Sequence, residues 1–230
     1  LDIARAEAEM LRGLLHDHGV DTATPPAPTP DPPPPGWPAP STPSTRTELR
    51  LVLAVDVVGY SSRSTPQKDD VQERIARLAT TVLAEVDLRL ADTDHQGTGD
   101  GVNIALPATV EIHRALPRLV HGWRDHLRRD NQRFRDRMRV RLALAVGPFG
   151  VGAIGYSGPT IVEVSRLLDS EPLRRAVLDN PDVDLVVMLS DRLHEDVVAQ
   201  GQPGLDRADL TPHPVEAKEY RRTGWLWIGR

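Results

Sequence analysis

The chain has 230 residues, 39% of them hydrophobic, a net charge of -5 and a pI near 5.9. That is enough for one sizeable buried core, and it gives no general electrostatic reason to bind nucleic acid or an anionic membrane. Cysteine is absent, which removes disulfides, thiolate chemistry and sulfur-ligated metals together and permits a reducing cytoplasm, the expected location. No apolar run approaches the roughly 20 residues that span a bilayer, and the first residues are too charged for a signal-peptide core.

Leu1, Ala4, Ala8, Leu11 and Leu15 recur at helical spacing, with Asp2, Arg5, Glu9 and Arg12 on the other face, so an amphipathic helix is expected over residues 1–21. Residues 22–48 read as a linker, because the prolines between Pro25 and Pro38 donate no backbone hydrogen bond and favour extended polyproline II. A plain semi-rigid spacer is the bland reading, and a partner protein docking on the helix and the proline segment is the sharper one. The chain opens on Leu1 rather than methionine, which leads to the expectation of a longer parent protein.

One domain is expected over residues 49–230. Residues 50–57 read as a buried strand, and 69–90 as a helix with Val71, Ile75, Leu78, Ala79, Val82 and Val86 on one side. Residues 92–97 and 102–107 form a hairpin about Gly99-Asp100, 109–129 a second helix, and 137–146 a strand that alternates as a half-buried strand does. Helical residues near 160–180, a strand over 184–189, a short helix capped by Ser190 and a final hairpin to Trp227 follow. The order strand, helix, two strands, helix, strand predicts an α+β, ferredoxin-like (βαββαβ) arrangement: an antiparallel sheet covered on one face by helices, with an extra C-terminal hairpin.

Two carboxylates carry the chemistry. Asp56 ends the apolar run Leu51-Val52-Leu53-Ala54-Val55, and Asp100 sits in the glycine-framed turn Gly97-Thr98-Gly99-Asp100-Gly101. If the two strands are neighbours, these side chains converge at one sheet edge and offer hard oxygen ligands to Mg²⁺ or Mn²⁺, a site that handles phosphates. The backbone amides of Val58, Gly59 and Tyr60, with the Ser61 hydroxyl nearby, can cradle terminal phosphates because a glycine turn allows close approach. The competing reading makes Asp56 and Asp100 ordinary strand-end and turn residues. The arginine-rich stretch Arg124 to Arg137 is interspersed with aspartates, which favours an ion-paired helix end over a nucleic-acid surface. Neither His16/His18 nor His121/His126 has the i, i+4 spacing that ligates zinc on a helix face.

Four segments, in order, resemble class III nucleotidyl cyclases, the adenylate and guanylate cyclase homology group. They are Val55-Asp56-Val57-Val58-Gly59-Tyr60-Ser61, Gly99-Asp100-Gly101, Arg141 to Pro148, and Gly158 to Leu167. GGDEF-type and polymerase palm domains share a related strand and hairpin and are the nearest confusions. The resemblance covers residues 50 to about 229 and implies a nucleoside triphosphate substrate, converted to a 3′,5′-cyclic nucleotide and pyrophosphate for signalling. It implies two metal ions on Asp56, Asp100 and the Val57 carbonyl, and a head-to-tail homodimer in which Arg166 stabilises the transition state from the opposing protomer.

Several positions depart from that pattern. Gln96 stands where adenylate cyclases place a base-selecting lysine, Val162 where an asparagine orients the ribose, and Gly155 or Tyr156 where an aspartate reads adenine. Trp225 or Leu226 replaces a triphosphate-binding lysine, with Arg221 and Arg222 as shifted substitutes. Three readings therefore stand. The domain is a cyclase for another base, with Gln96 reading it and Tyr60 or Tyr156 filling space beside a pyrimidine; or it is a degenerate cyclase that binds nucleotide or dimerises as a regulatory module; or the aspartates are purely structural, a case that includes a non-enzymatic adaptor docking a partner through the expected N-terminal helix and proline segment.

Overall fold

The computed structural model describes residues 47–152, 155–201, 204–217 and 220–230. The expected amphipathic helix and almost all of the proline-rich linker lie outside the described residues.

The first strand, β1 (Glu48–Val57), is buried continuously from Leu51 to Val57, as a strand covered on both sides must be. Leu51, Leu53, Val55 and Val57 enter one core, whereas Val52 and Ala54 enter another on the opposite face. Helix α1 (Thr65–Ala84) starts at a capping box in which the Ser64 N–H donates to Gln67 Oε1 at 3.0 Å. It lays Val71, Ile75, Leu78, Ala79 and Val82 on the first core. It stops six residues short of the sequence expectation, where Asp87 adopts a left-handed φ of 59° that a helix cannot contain.

The hairpin strands are β2 (Asp94–Gly97) and β3 (Gly101–Ala105), and α2 (Ile112–Arg133) buries Leu116, Leu119, Val120, Trp123 and Leu127 beside α1. Then come β4 (Val140–Gly152), a short β5 (Gly155–Ser157), α3 (Pro159–Leu168), α4 (Glu171–Asp179) and β6 (Leu185–Ser190). A single helical turn, α5 (Asp191–Leu193), is capped by the Ser190 hydroxyl, which accepts from Leu193 N–H at 3.2 Å, and continues as the π-helical segment His194–Val198. The closing hairpin is β7 (Leu210–Ala217) and β8 (Tyr220–Ile228).

The sheet runs β2-β3-β1-β4-β6-β8-β7, with β5 on β4 outside that path. The βαββαβ core and the extra hairpin are as the sequence leads one to expect. Two details of the expectation are corrected. The β4–β6 pair is parallel, because the chain crosses over through α3 and α4 before re-entering the sheet. Those two helices also cover the second face, packing Val164, Leu167, Leu173, Ala176 and Val177 with Ala143, Ala145, Val186 and Met188. The sheet is therefore mixed and covered on both faces. Among the described residues no helix is long and apolar enough to cross a membrane.

Candidate active site

Asp56, the penultimate residue of β1, faces Gly101 of β3 on one side and Arg141 of β4 on the other. Glycine is required at 101, since a Cβ there would lie 1.8 Å from the Val55 carbonyl oxygen. Only a bare backbone lets the hairpin approach so closely. That approach holds Asp100 against the end of β1: the Val57 N–H donates to the Asp100 carbonyl at 3.0 Å, and the Thr98 hydroxyl donates to Asp100 Oδ1 at 3.3 Å. The Asp100 carboxylate is thereby close enough to Asp56 to act on its ionisation.

Asp56 is 7% exposed. Burial pushes its pKa up to about 6, against the lowering effect of Arg141, and the neighbouring Asp100 carboxylate raises it further. Arg141 donates from both Nε (2.8 Å) and a terminal guanidinium nitrogen to the single oxygen Oδ2 of Asp56. This cation at the carboxylate pair is absent from the sequence reading.

The oxygens of Asp56, Asp100 and the Val57 carbonyl form a hard donor set of the kind Mg²⁺ and Mn²⁺ take. The Asp100 N–H makes no reciprocal bond to the Val57 carbonyl, leaving that oxygen available. Among the described residues no three His, Cys, Asp or Glu side chains cluster for a metal. An ion here would complete its shell with backbone, water or phosphate oxygens, as Mg²⁺ commonly does.

The turn after β1 corrects one expectation. The Val58 N–H donates to the Arg139 carbonyl at 2.9 Å, so it is spent inside the sheet and is not part of a phosphate cradle. Gly59 sits at φ 72°, ψ 22° and opens a 3-10 turn, Tyr60–Ser62. The amides of Gly59, Tyr60 and Ser61 are therefore first-turn groups without an intrahelical acceptor. The Tyr60 ring packs on the first core, and its hydroxyl accepts from Gln72 Nε2 at 2.8 Å. The same Gln72 nitrogen donates to the Gly99 carbonyl at 2.7 Å, tying the turn to the hairpin that carries Asp100. Lys68 Nζ lies 5.7 Å from the centre of the Tyr60 ring, a second cation beside the turn that sequence reasoning missed.

Other expected site residues form separate groups. Gln96 is exposed on β2, and a Cβ at Gly155 would lie 3.7 Å from its Oε1. Tyr156 next to them packs on Phe149, with ring centres 5.0 Å apart. Its hydroxyl is buried without a partner among the described residues, and burial, with Asp94 adding, raises its pKa.

Arg166 occupies the last turn of α3, half-buried, in a groove of about 660 Å³ shared with Val162, Glu163, Arg192 and Arg222. Of the two shifted arginines, Arg222 therefore lines the Arg166 groove. Trp225 donates to Asp191 at 2.8 Å and stacks on His194 at 3.4 Å, and Leu226 is buried, so neither takes the place of a phosphate-binding lysine.

The Arg166 groove and the aspartates lie at opposite ends of one ladder. The groove is lined by Val146, Gly147 and Pro148, which pair with Leu51, Arg50 and Leu49, whereas Arg141 pairs with Asp56. At about 3.3 Å per residue the five to seven positions from these partners to Asp56 span roughly 17–23 Å. A single chain therefore does not bring Arg166 to Asp56.

No protein-family model and no curated protein matches the sequence. Solved structures do. An adenylate/guanylate cyclase/hydrolase from Silicibacter pomeroyi aligns with a TM-score of 0.57 at 18% identity, over 80% of this chain and 98% of that one. The guanylyl cyclase Cya2 aligns with a TM-score of 0.55 at 14% identity, over 80% and 92%. The adenylyl cyclase CyaB from P. aeruginosa aligns with a TM-score of 0.51 at 13% identity, over 80% and 95%. The described domain has the fold of the class III adenylate and guanylate cyclase domains, in a form widely diverged in sequence.

Proposed function

We propose that the domain is a metal-dependent nucleotidyl cyclase, a phosphorus–oxygen lyase for signalling, with each active site shared between two chains packed head to tail. The reaction requires the ribose 3′ oxygen to attack the α-phosphorus in line while pyrophosphate leaves, so the protein's work is positioning and charge compensation. Two Mg²⁺ or Mn²⁺ ions held by Asp56, Asp100 and the Val57 carbonyl would supply charge stabilisation at the attacking and leaving oxygens.

The remaining work falls to the chain itself. The amides of Gly59, Tyr60 and Ser61, with the Ser61 hydroxyl, bind the terminal phosphates at a turn where no side chain intrudes. Arg141 and Lys68 add positive charge beside that turn, and Arg141 also compensates Asp56 when no substrate is bound. Arg166, with Arg222 beside it, reaches the transferring phosphoryl group from the second copy, since the groove that holds it lies roughly 17–23 Å from its own Asp56 along β1. Val162 lines that same groove and offers the ribose no hydrogen bond, which predicts slow turnover.

The observation that carries this reading is the convergence of Asp56 and Asp100 enforced by Gly101. It is tested by presenting purified protein with Mn²⁺ and ATP, CTP, GTP and UTP in turn. Pyrophosphate release with at least one triphosphate, abolished by Asp56→Ala and by Asp100→Ala, supports the reading; silence with all four refutes it.

The Arg141–Asp56 ion pair and the apolar Val162 favour a second reading, a non-catalytic module that binds nucleotide or only dimerises, regulating an attached partner. Calorimetry with non-hydrolysable triphosphates separates a binder from an inert dimer. Partner binding that survives loss of both aspartates would point instead to an adaptor working through residues 1–48.

A further inference from the structure

We infer that Gln72 is a positioning residue of the metal site, its side-chain amide strapping the turn assigned to phosphate onto the peptide unit from which Asp100 hangs. The inference rests on the metal-binding role proposed above for Asp56 and Asp100, and it adds a residue of α1 to that machinery.

Gln72 Nε2 donates to the Tyr60 hydroxyl oxygen at 2.8 Å and to the Gly99 carbonyl at 2.7 Å. A carbonyl oxygen only accepts, so the nitrogen end of the amide must face the hairpin, and both of its protons are then spent. The Gly99 oxygen shares one planar peptide unit with the Asp100 N–H. Holding that oxygen therefore orients the plane on one side of the Asp100 Cα. The plane on the other side is held by the Val57 N–H, which donates to the Asp100 carbonyl at 3.0 Å. With both planes fixed the backbone dihedrals of Asp100 are fixed, and with them the direction in which its side chain leaves the turn.

Packing does not hold the first of those planes. Gly99 sits at φ 93° with nothing within 4 Å of where a Cβ would lie, and Gly97 is equally free of contacts. Towards α1 the hairpin faces a cavity of about 480 Å³, walled by Val71, Ile75, Ala76 and Val102 with Gln72 among its lining residues. A glycine without neighbours turns at little cost. The bond from Gln72 to Gly99 is the one hydrogen bond that crosses from α1 to the hairpin among the described residues. Its base is rigid, because Val71 and Ile75 on either side of Gln72 are anchored in the first core. Its other end is Tyr60, whose turn presents the amides assigned to the terminal phosphates. One exposed side chain thus sets the spacing between the phosphate end and the metal end of the site, and such spacing governs how well reacting groups align.

The test uses the full 230-residue chain and reads Mn²⁺ binding by calorimetry, so that no turnover is needed; Asp56→Ala identifies the heat that belongs to this site. Gln72→Met keeps the length of the side chain and removes both donors, whereas Tyr60→Phe removes one acceptor. Gln72→Met is expected to weaken Mn²⁺ binding about fivefold to tenfold. Its metal-free urea midpoint should match that of the unaltered chain, because Gln72 is exposed. Tyr60→Phe is expected to cost about twofold to threefold, and Gln72→Met should cost less in that background than alone, since a strap with one end loose holds little. Affinity within about twofold of the unaltered chain in Gln72→Met overturns the inference. So does a loss that is the same with and without the Tyr60 hydroxyl, or one matched by a lowered urea midpoint, which marks a merely structural bond. If Mn²⁺ binding depends on Gln72 but no triphosphate yields pyrophosphate, the cyclase reading fails and the inference stands. An unaltered chain without Mn²⁺ binding that Asp56→Ala removes overturns both.

Discussion

Arg141 and Asp56 face each other across the β1–β4 ladder, and both guanidinium hydrogen bonds end on one carboxylate oxygen, Oδ2. The cation thus holds Asp56 from the side away from the hairpin that carries Asp100. Removing it leaves a buried carboxylate beside Asp100 with no compensating charge. Arg141→Met is expected to lower unfolding free energy by about 1–3 kcal/mol at pH 7, and by clearly less at pH 4.5, where Asp56 is mostly protonated. Urea unfolding at the two pH values checks this.

The raised pKa of Asp56 fixes the sign of a pH effect. A carboxyl that titrates near 3.8 when unfolded and near 6 when folded holds more protons in the native state between those values. Stability therefore falls as pH rises from about 4 to about 6, by at most about 3 kcal/mol for this group. Asp56→Asn should flatten that part of the profile and raise stability at pH 7, measured without divalent cations.

Glycine substitutions probe the convergence itself. Gly101→Ala drives a methyl group into the Val55 carbonyl at 1.8 Å and is expected to cost at least about 3 kcal/mol or prevent folding. Gly97→Ala, in the same hairpin but with nothing within 4 Å of its Cβ, should stay within about 0.5 kcal/mol of the parent. Denaturant midpoints of the pair distinguish a tight β1–β3 approach from a generally fragile hairpin.

The strand ends were legible because their signals are local. An apolar run closed by Asp56 and a glycine-framed Asp100 state where two strands stop. Register is not local. Arg137, Arg139 and Arg141 alternate identically in the sequence, yet Arg137 binds Asp184, Arg139 binds the carbonyls of Val177, Asn180 and Val183, and only Arg141 reaches Asp56. The same blindness hid the Val58 bond to Arg139, the pairing of Gln96 with Asn103 and the Gln72 strap on Tyr60. Coverage of the second face was missed because Ala143 and Ala145 look weakly apolar, whereas their small size is what lets α3 and α4 pack close.

The central claim is that each site combines Asp56 and Asp100 of one chain with Arg166 of another. Complementation tests it most directly: Asp56→Ala and Arg166→Ala chains are assayed alone and then mixed, with heterodimer formation verified by differential tags. The account predicts that neither variant alone releases pyrophosphate, and that an equimolar mixture recovers about one quarter of the parental rate, since half the dimers would carry one intact site of two. Full activity in either variant alone, or verified heterodimers that recover nothing, would contradict it.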